Sequence, residues 1–273
     1  MNKGFDAAIV TSVPLGGGLS SSAALEVAFY TLLEELTNNP AKSKTEKAFA
    51  CQKAEHEYAL MPCGIMDQFV SIFGEKSQAV LIDCAVPEAH VIPINNPNLA
   101  ILITNSNVKH KLTGSEYPER RNMCFEAAKK LGIPTLREAQ MEDIEKTSFE
   151  NETMLKRARH VVGEIDRTQK AAEALKNQDY EKFGTLMVES HNSLRDDFEV
   201  SCSELDQLVE LALKCEGVFG SRMTGGGFGG CTVTLLKKEA VENTIQNISN
   251  GYKGKATFYV CEASEGARTF KIV

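Results

Sequence analysis

A chain of 273 residues, 42% hydrophobic and 25% charged, holds enough apolar material for one large or two ordinary domains of a soluble globular protein. The formal net charge of -7 leaves no basic footprint for nucleic acid or an anionic membrane, and no apolar run is long enough to span a bilayer. The eight cysteines stand singly, none in a C-x-x-C pair, and Met1–Asp6 does not read as a signal peptide, so reduced thiols, no zinc site and a cytoplasmic protein are expected.

In chain order, Ala7 to Val13 reads as a buried strand. It runs into Gly16-Gly17-Gly18-Leu19-Ser20-Ser21-Ser22 and then into the helix-forming run from Ala23. Strand, glycine turn and helix N-terminus in that order make an anion site: the glycines free the backbone to approach closely, and the first helical N–H groups have no intrahelical acceptor. Ser20 or Ser21 is the expected N-cap, and a serine hydroxyl there can also face a phosphate or Mg²⁺. The Walker pattern and the dinucleotide G-x-G-x-x-G are both missing, so this phosphate loop is of a third kind. The helix is predicted over Ser21 to Leu36 and, being apolar around most of its circumference, is expected to be central.

A more polar helix follows over Thr45 to Tyr58. The turn Met61-Pro62-Cys63-Gly64 precedes a helix starting near Gly64, with Asp67 in its first turn among large apolar residues. Two readings of Asp67 stay open: a carboxylate placed to suit the helix dipole, or one held near a ligand. Short strands are predicted over 79–84, 91–94 and 99–104, with a polar loop over Asn105 to His110. A helix spans Tyr117 to Leu131 and stops at Gly132, with Arg120 and Arg121 on a solvated face. A helical connector covers 134–152. Three helices follow over 154–176, 180–195 and 203–214, the last capped by Ser203. His160 and His191 read as packing residues, and Asp196-Asp197 as helix-end charge.

The final part reads as strand 218–223, the glycine turn Gly225 to Gly230, strand 231–236, helix 239–249, strand 256–261 and a last strand 269–273. The turn is expected to pack, with some ligand contact. The fold class is therefore α+β in two domains, 1–97 with the phosphate loop and 98–273.

Three stretches, Pro14 to Ala24, Gly64 to Asp67 and Gly225 to Gly230, together resemble the GHMP small-molecule kinases. The wording Val13 to Ser22 with Met61 to Gln68 is similar to the galactokinases of animal type. The similarity runs on through Thr104 to Val108, Ser115 to Pro118 and Arg157 to Glu164 to the end of the chain.

The resemblance implies a ribosomal-protein-S5-like first domain, here incomplete, and a ferredoxin-like second one. It implies ATP-dependent phosphorylation of the anomeric hydroxyl of galactose, in galactose metabolism. Gly16, Gly17, Gly18, Leu19, Ser20, Ser21 and Ser22 would wrap the ATP phosphates, with Ser21 or Ser22 near Mg²⁺. Asp67 would be the general base, Gly64 and Tyr117 would contact the sugar, and Gly225 to Gly230 would support the phosphate loop. The family's sugar-binding segment, with its arginine, glutamate, histidine and aspartate, has no counterpart here. A truncated chain with poor turnover is therefore expected; the alternative is a nucleotide-binding fragment or sugar-sensing regulator.

Overall fold

The computed structural model describes residues 4–108 and 116–270. The chain forms two compact units. The break falls between Asn95 and Asn96, two residues before the expected boundary, and the segment from Glu262 onward belongs to the first unit rather than the second.

The first unit holds α1 (Ser21–Thr37), α2 (Lys44–Tyr58) and α3 (Met66–Phe73), which pack on one another, and a hairpin of β1 (Gln78–Asp83) and β2 (Glu88–Pro93). Its core is Val27 from α1, Ala48 and Cys51 from α2, and Ile65, Phe69 and Ile72 around α3. Phe69 stacks on Phe73 at 5.0 Å and meets the edge of Phe49 at 6.5 Å. Ser43 caps α2 by accepting the Glu46 N–H. Buried Lys47 of α2 is tied to Glu34 of α1 at 2.6 Å and to the Thr31 hydroxyl at 2.6 Å, so its charge is paired where it leaves water. The tail is stitched back by Gly266 N–H to Gly74 carbonyl and Ala267 N–H to Ser71 carbonyl, both 2.8 Å.

Three expectations fail here. Residues 7–13 form no strand, and Ile9 and Val10 are 64% and 95% exposed. A strand needs a ladder partner, and among the described residues none pairs with this stretch. For the same reason α1 is not central: only Ala23 and Val27 are buried, while Leu25, Phe29 and Leu36 face outward. The predicted last strand is also missing over 269–270, and its remainder lies outside the described residues.

The second unit opens with β3 (Leu99–Asn105). It continues through α4 (Glu116–Leu131), a 3-10 turn (Leu136–Glu138), α5 (Met141–Lys146), α6 (Glu152–Lys176), α7 (Tyr180–Asp196) and α8 (Ser203–Leu213). It ends with β4 (Val218–Met223), β5 (Cys231–Lys237), α9 (Val241–Gly251) and β6 (Thr257–Cys261). The sheet order is β4-β5-β3-β6 with every neighbouring pair antiparallel. β5 thus splits β3 from β4, and β3 splits β5 from β6, which is the split β-α-β arrangement of a ferredoxin-like domain.

Helix α7 lies directly on β4 because Gly184 and Gly220 face each other. A Cβ on Gly184 would stand 2.0 Å from the Phe219 carbonyl oxygen, and one on Gly220 2.2 Å from that of Gly184. Asn151 and Asp179 cap α6 and α7 through their side chains. The N-cap of α8 is Cys202, not Ser203, whose hydroxyl donates to Glu204 instead. Lys109, His110 and Ser115 lie outside the described residues.

Candidate active-site elements

The glycine loop reaches α1 through a series of left-handed residues: Gly16 (φ 69°), Gly18 (φ 72°) and Ser20 (φ 57°). Glycine takes that geometry without steric cost, whereas Ser20 does not. Ser20 occupies the N-cap position but its hydroxyl makes no cap bond, because the cap bond needs an extended backbone there. The first helical bond is Ala24 N–H to Ser20 carbonyl at 3.0 Å. The N–H groups of Ser21, Ser22 and Ala23 therefore have no intrahelical acceptor, and the helix N-terminus is open to an anion.

Asp67 is half-buried in the first turn of α3. The turn before it is shaped by α2, whose Gln52 and His56 donate to the Cys63 carbonyl at 3.2 and 2.9 Å. Met61 N–H returns to the Glu55 carbonyl at 3.3 Å. Burial, together with the charges of Glu55 and Asp67, pushes the Cys63 thiol up, away from the thiolate form. Gly64 in that turn is exposed, and a Cβ there would meet no described atom within 4 Å. Neither space nor backbone φ requires glycine at this position.

Next to Asp67, buried Gln68 donates to Glu26 of α1 at 3.2 Å. Glu26 lies one helical turn beyond Ser22. Burial and the adjoining Glu55 carboxyl of α2 push the Glu26 carboxyl up to about 7. Buried Oε2 of Glu55 has no hydrogen-bond partner among the described residues. The sequence reading missed Glu26, Glu55 and Gln68. Its available signal was weak: Glu26 lies four residues after Ser22, so both project from one face of α1.

The other expected residues lie in the second unit. Tyr117 sits exposed in the first turn of α4. The turn Gly225–Gly230 is clamped on both sides. Phe228 N–H donates to the Val200 carbonyl at 2.7 Å, and Gly230 N–H to the Val108 carbonyl at 3.2 Å. Cβ atoms on Gly227 and Gly229 would lie 2.0 Å from the Val200 oxygen and 2.6 Å from the Val108 oxygen, so these close approaches require glycine. Behind the turn, His191 Nδ1 accepts the Met223 N–H at 3.2 Å while its Nε2 lies 3.2 Å from Asp206. His160 stacks on Phe198 at 4.3 Å, and burial pushes it down to about 4, so it packs as the neutral ring. Arg120 departs from its expected solvated face: its guanidinium donates to the carbonyls of Phe198 and Glu199.

The model of the GHMP kinase N-terminal domain matches residues 1–75, and that of the GHMP kinase C-terminal domain matches 171–254. The chain is 57% identical over 266 residues to galactokinase of Homo sapiens, covering 97% of this chain and 68% of that protein. The chain belongs to the galactokinase family of GHMP kinases.

Galactokinase of Haemophilus influenzae is 44% identical over 275 residues, covering 97% of this chain and 71% of its own length. The crystal structure of Lactococcus lactis galactokinase complexed with galactose superposes with a TM-score of 0.89 at 37% identity, over 93% of this chain and 68% of that one. Mevalonate kinase of L. major, at 18% identity and TM-score 0.60, shares the fold. As a galactokinase-family member the chain is a two-domain α+β sugar kinase by descent, and it spans about two thirds of the length of these relatives.

Proposed function

We propose that the chain binds ATP at Gly16–Ser22 and α-D-galactose beside Asp67, and transfers the γ-phosphoryl group to the anomeric hydroxyl, yielding galactose 1-phosphate and ADP. The observation that carries this reading is the Gln68–Glu26 bond. It fastens the helix bearing Asp67 to the helix whose open N-terminus follows the glycine loop. In the reaction the anomeric oxygen attacks the γ-phosphorus, the bond to the β,γ-bridging oxygen breaks, and the hydroxyl proton passes to the Asp67 carboxylate. The N–H groups of the loop and of the first turn of α1 take the phosphate charge. Gly64 leaves room for the sugar; within the second unit, Tyr117 is proposed as a sugar contact and Gly225–Gly230 as a phosphate contact.

The residues present fit Mg²⁺. The hydroxyls of Ser21 and Ser22, the Glu26–Glu55 carboxyl pair and the unpartnered Glu55 Oε2 offer hard oxygen donors around the start of α1. When bound with the nucleotide, the ion neutralises phosphate charge. No described helix is long and apolar enough to cross a membrane, and the eight cysteines are free, which supports action in the cytoplasm.

The test is calorimetry of MgATP and of galactose on the whole chain, with ³¹P detection of galactose 1-phosphate. Asp67→Asn is expected to keep MgATP binding and to lose turnover by about 10²-fold or more. Equal turnover by wild type and Asp67→Asn overturns the role of Asp67. Nucleotide binding with neither sugar binding nor turnover supports a nucleotide-binding regulator instead.

A further inference from the structure

Four successive carbonyls beside the second glycine turn are taken by donors from three separate parts of the fold. Arg157 of α6, only 4% exposed, gives Nη1 to the Asp197 carbonyl and Nη2 to the Glu199 carboxylate at 2.5 Å. Arg120 of α4 gives Nε to the Phe198 carbonyl and Nη2 to the Glu199 carbonyl, both at 2.8 Å. The fourth carbonyl, Val200, accepts the Phe228 N–H from the glycine turn. The Arg120 guanidinium also lies over the Phe228 ring, 5.2 Å from its centre.

Two non-glycine residues in this assembly are left-handed: Glu199 at φ 53° and Phe228 at φ 58°. A bulky aromatic rarely adopts that backbone, and such strain persists only where the surroundings over-determine it. Here the surroundings are the two guanidinium forks. Arg120 also sits one helical turn after Tyr117, so the same helix carries a candidate sugar contact and the grip on the turn.

We propose that Arg120 and Arg157 are positioning residues for the second unit's phosphate contact: they hold Asp197–Val200, and through Val200 and Phe228 they set the Gly225–Gly230 turn in its ligand-receiving conformation. This rests on the reading of that turn as a phosphate-side element. Arginine is needed because its planar fork holds two acceptors at once, two adjacent carbonyls for Arg120 and a carbonyl with a carboxylate for Arg157, which a lysine ammonium does not.

The test uses the whole chain with Arg120→Lys and Arg157→Lys, read by hydrogen-exchange mass spectrometry and MgATP calorimetry. Expected is an acceleration of about tenfold or more for the peptide over 224–231, with β3 and α9 unchanged, and about a tenfold loss of MgATP affinity. Galactose affinity stays within about twofold. Should Arg157→Lys fail to fold, Glu199→Gln removes the ion pair alone. Unchanged exchange at the turn, or uniform acceleration across the unit, overturns the proposal. So does a loosened turn with undiminished MgATP binding. If the wild type binds no MgATP, the proposed function fails while the exchange data still decide the positioning.

Discussion

Glu26 is the residue whose ionisation the fold changes most usefully. Its carboxyl is raised to about 7 by burial and by Glu55, against an ordinary value of 4.5. The folded chain therefore keeps a proton that the unfolded chain releases. The stability this group contributes is fully present below about pH 4.5 and is lost as pH rises through about 7. In buffer free of divalent cations, wild type is expected to lose denaturant stability between about pH 5 and pH 8. Glu26→Gln is expected to flatten that slope and to be the more stable protein at the upper end. Identical slopes would show that the carboxyl pair does not share a proton. Gly64 makes the complementary case, since the fold makes no demand on it. Gly64→Ala should leave stability within about 0.5 kcal/mol and weaken galactose binding about tenfold. A drop in stability instead, with unchanged sugar affinity, would make Gly64 structural.

Among the elements, the two glycine turns behave differently. At Gly16 a Cβ meets open space, and only the positive φ is at stake. At Gly227 a Cβ would be driven to 2.0 Å from a backbone oxygen, at φ +86°. Gly227→Ala is expected to cost more than about 2 kcal/mol by thermal or chemical unfolding, and Gly16→Ala clearly less. Equal costs would mean that conformation, not close approach, governs both turns. Both turns were legible as glycine clusters, but their difference was not. Close approach to Val200 depends on a residue 27 positions earlier in the chain, and Val108 lies farther still. Helix and strand positions were largely legible because periodicity and stop signals are local. The strand at 218–223 falls where the sequence reading placed it, and α4 ends before Gly132, whose φ is 72°.

On the scale of the whole molecule, the first unit exposes apolar side chains at Phe5, Ile9, Val10 and Leu15 and at Leu25 and Phe29 of α1, with the Phe5 and Phe29 rings 6.3 Å apart. An exposed apolar run invites self-association, which a net charge of -7 only partly opposes. The double variant Ile9→Lys, Val10→Lys should reduce self-association in light scattering without lowering the melting temperature. A lowered melting temperature would show that these side chains are packed in solution.

The sequence alone determined the α+β class and the kinase family, and it singled out the glycine loop and Asp67 as candidates, because glycine runs, helix starts and turn residues act within a few positions of themselves. Tertiary structure decided what no local pattern encodes. Among the described residues none pairs with 7–13, so their apolar pattern yields no strand. Glu26 meets Glu55 and Gln68 only when α1, α2 and α3 pack. Arg120 reads as one of two exposed charges until the fold brings it to carbonyls 78 and 79 positions away. Burial and hydrogen-bond partnership are properties of neighbours in space, and those neighbours are set by packing of segments far apart in the chain.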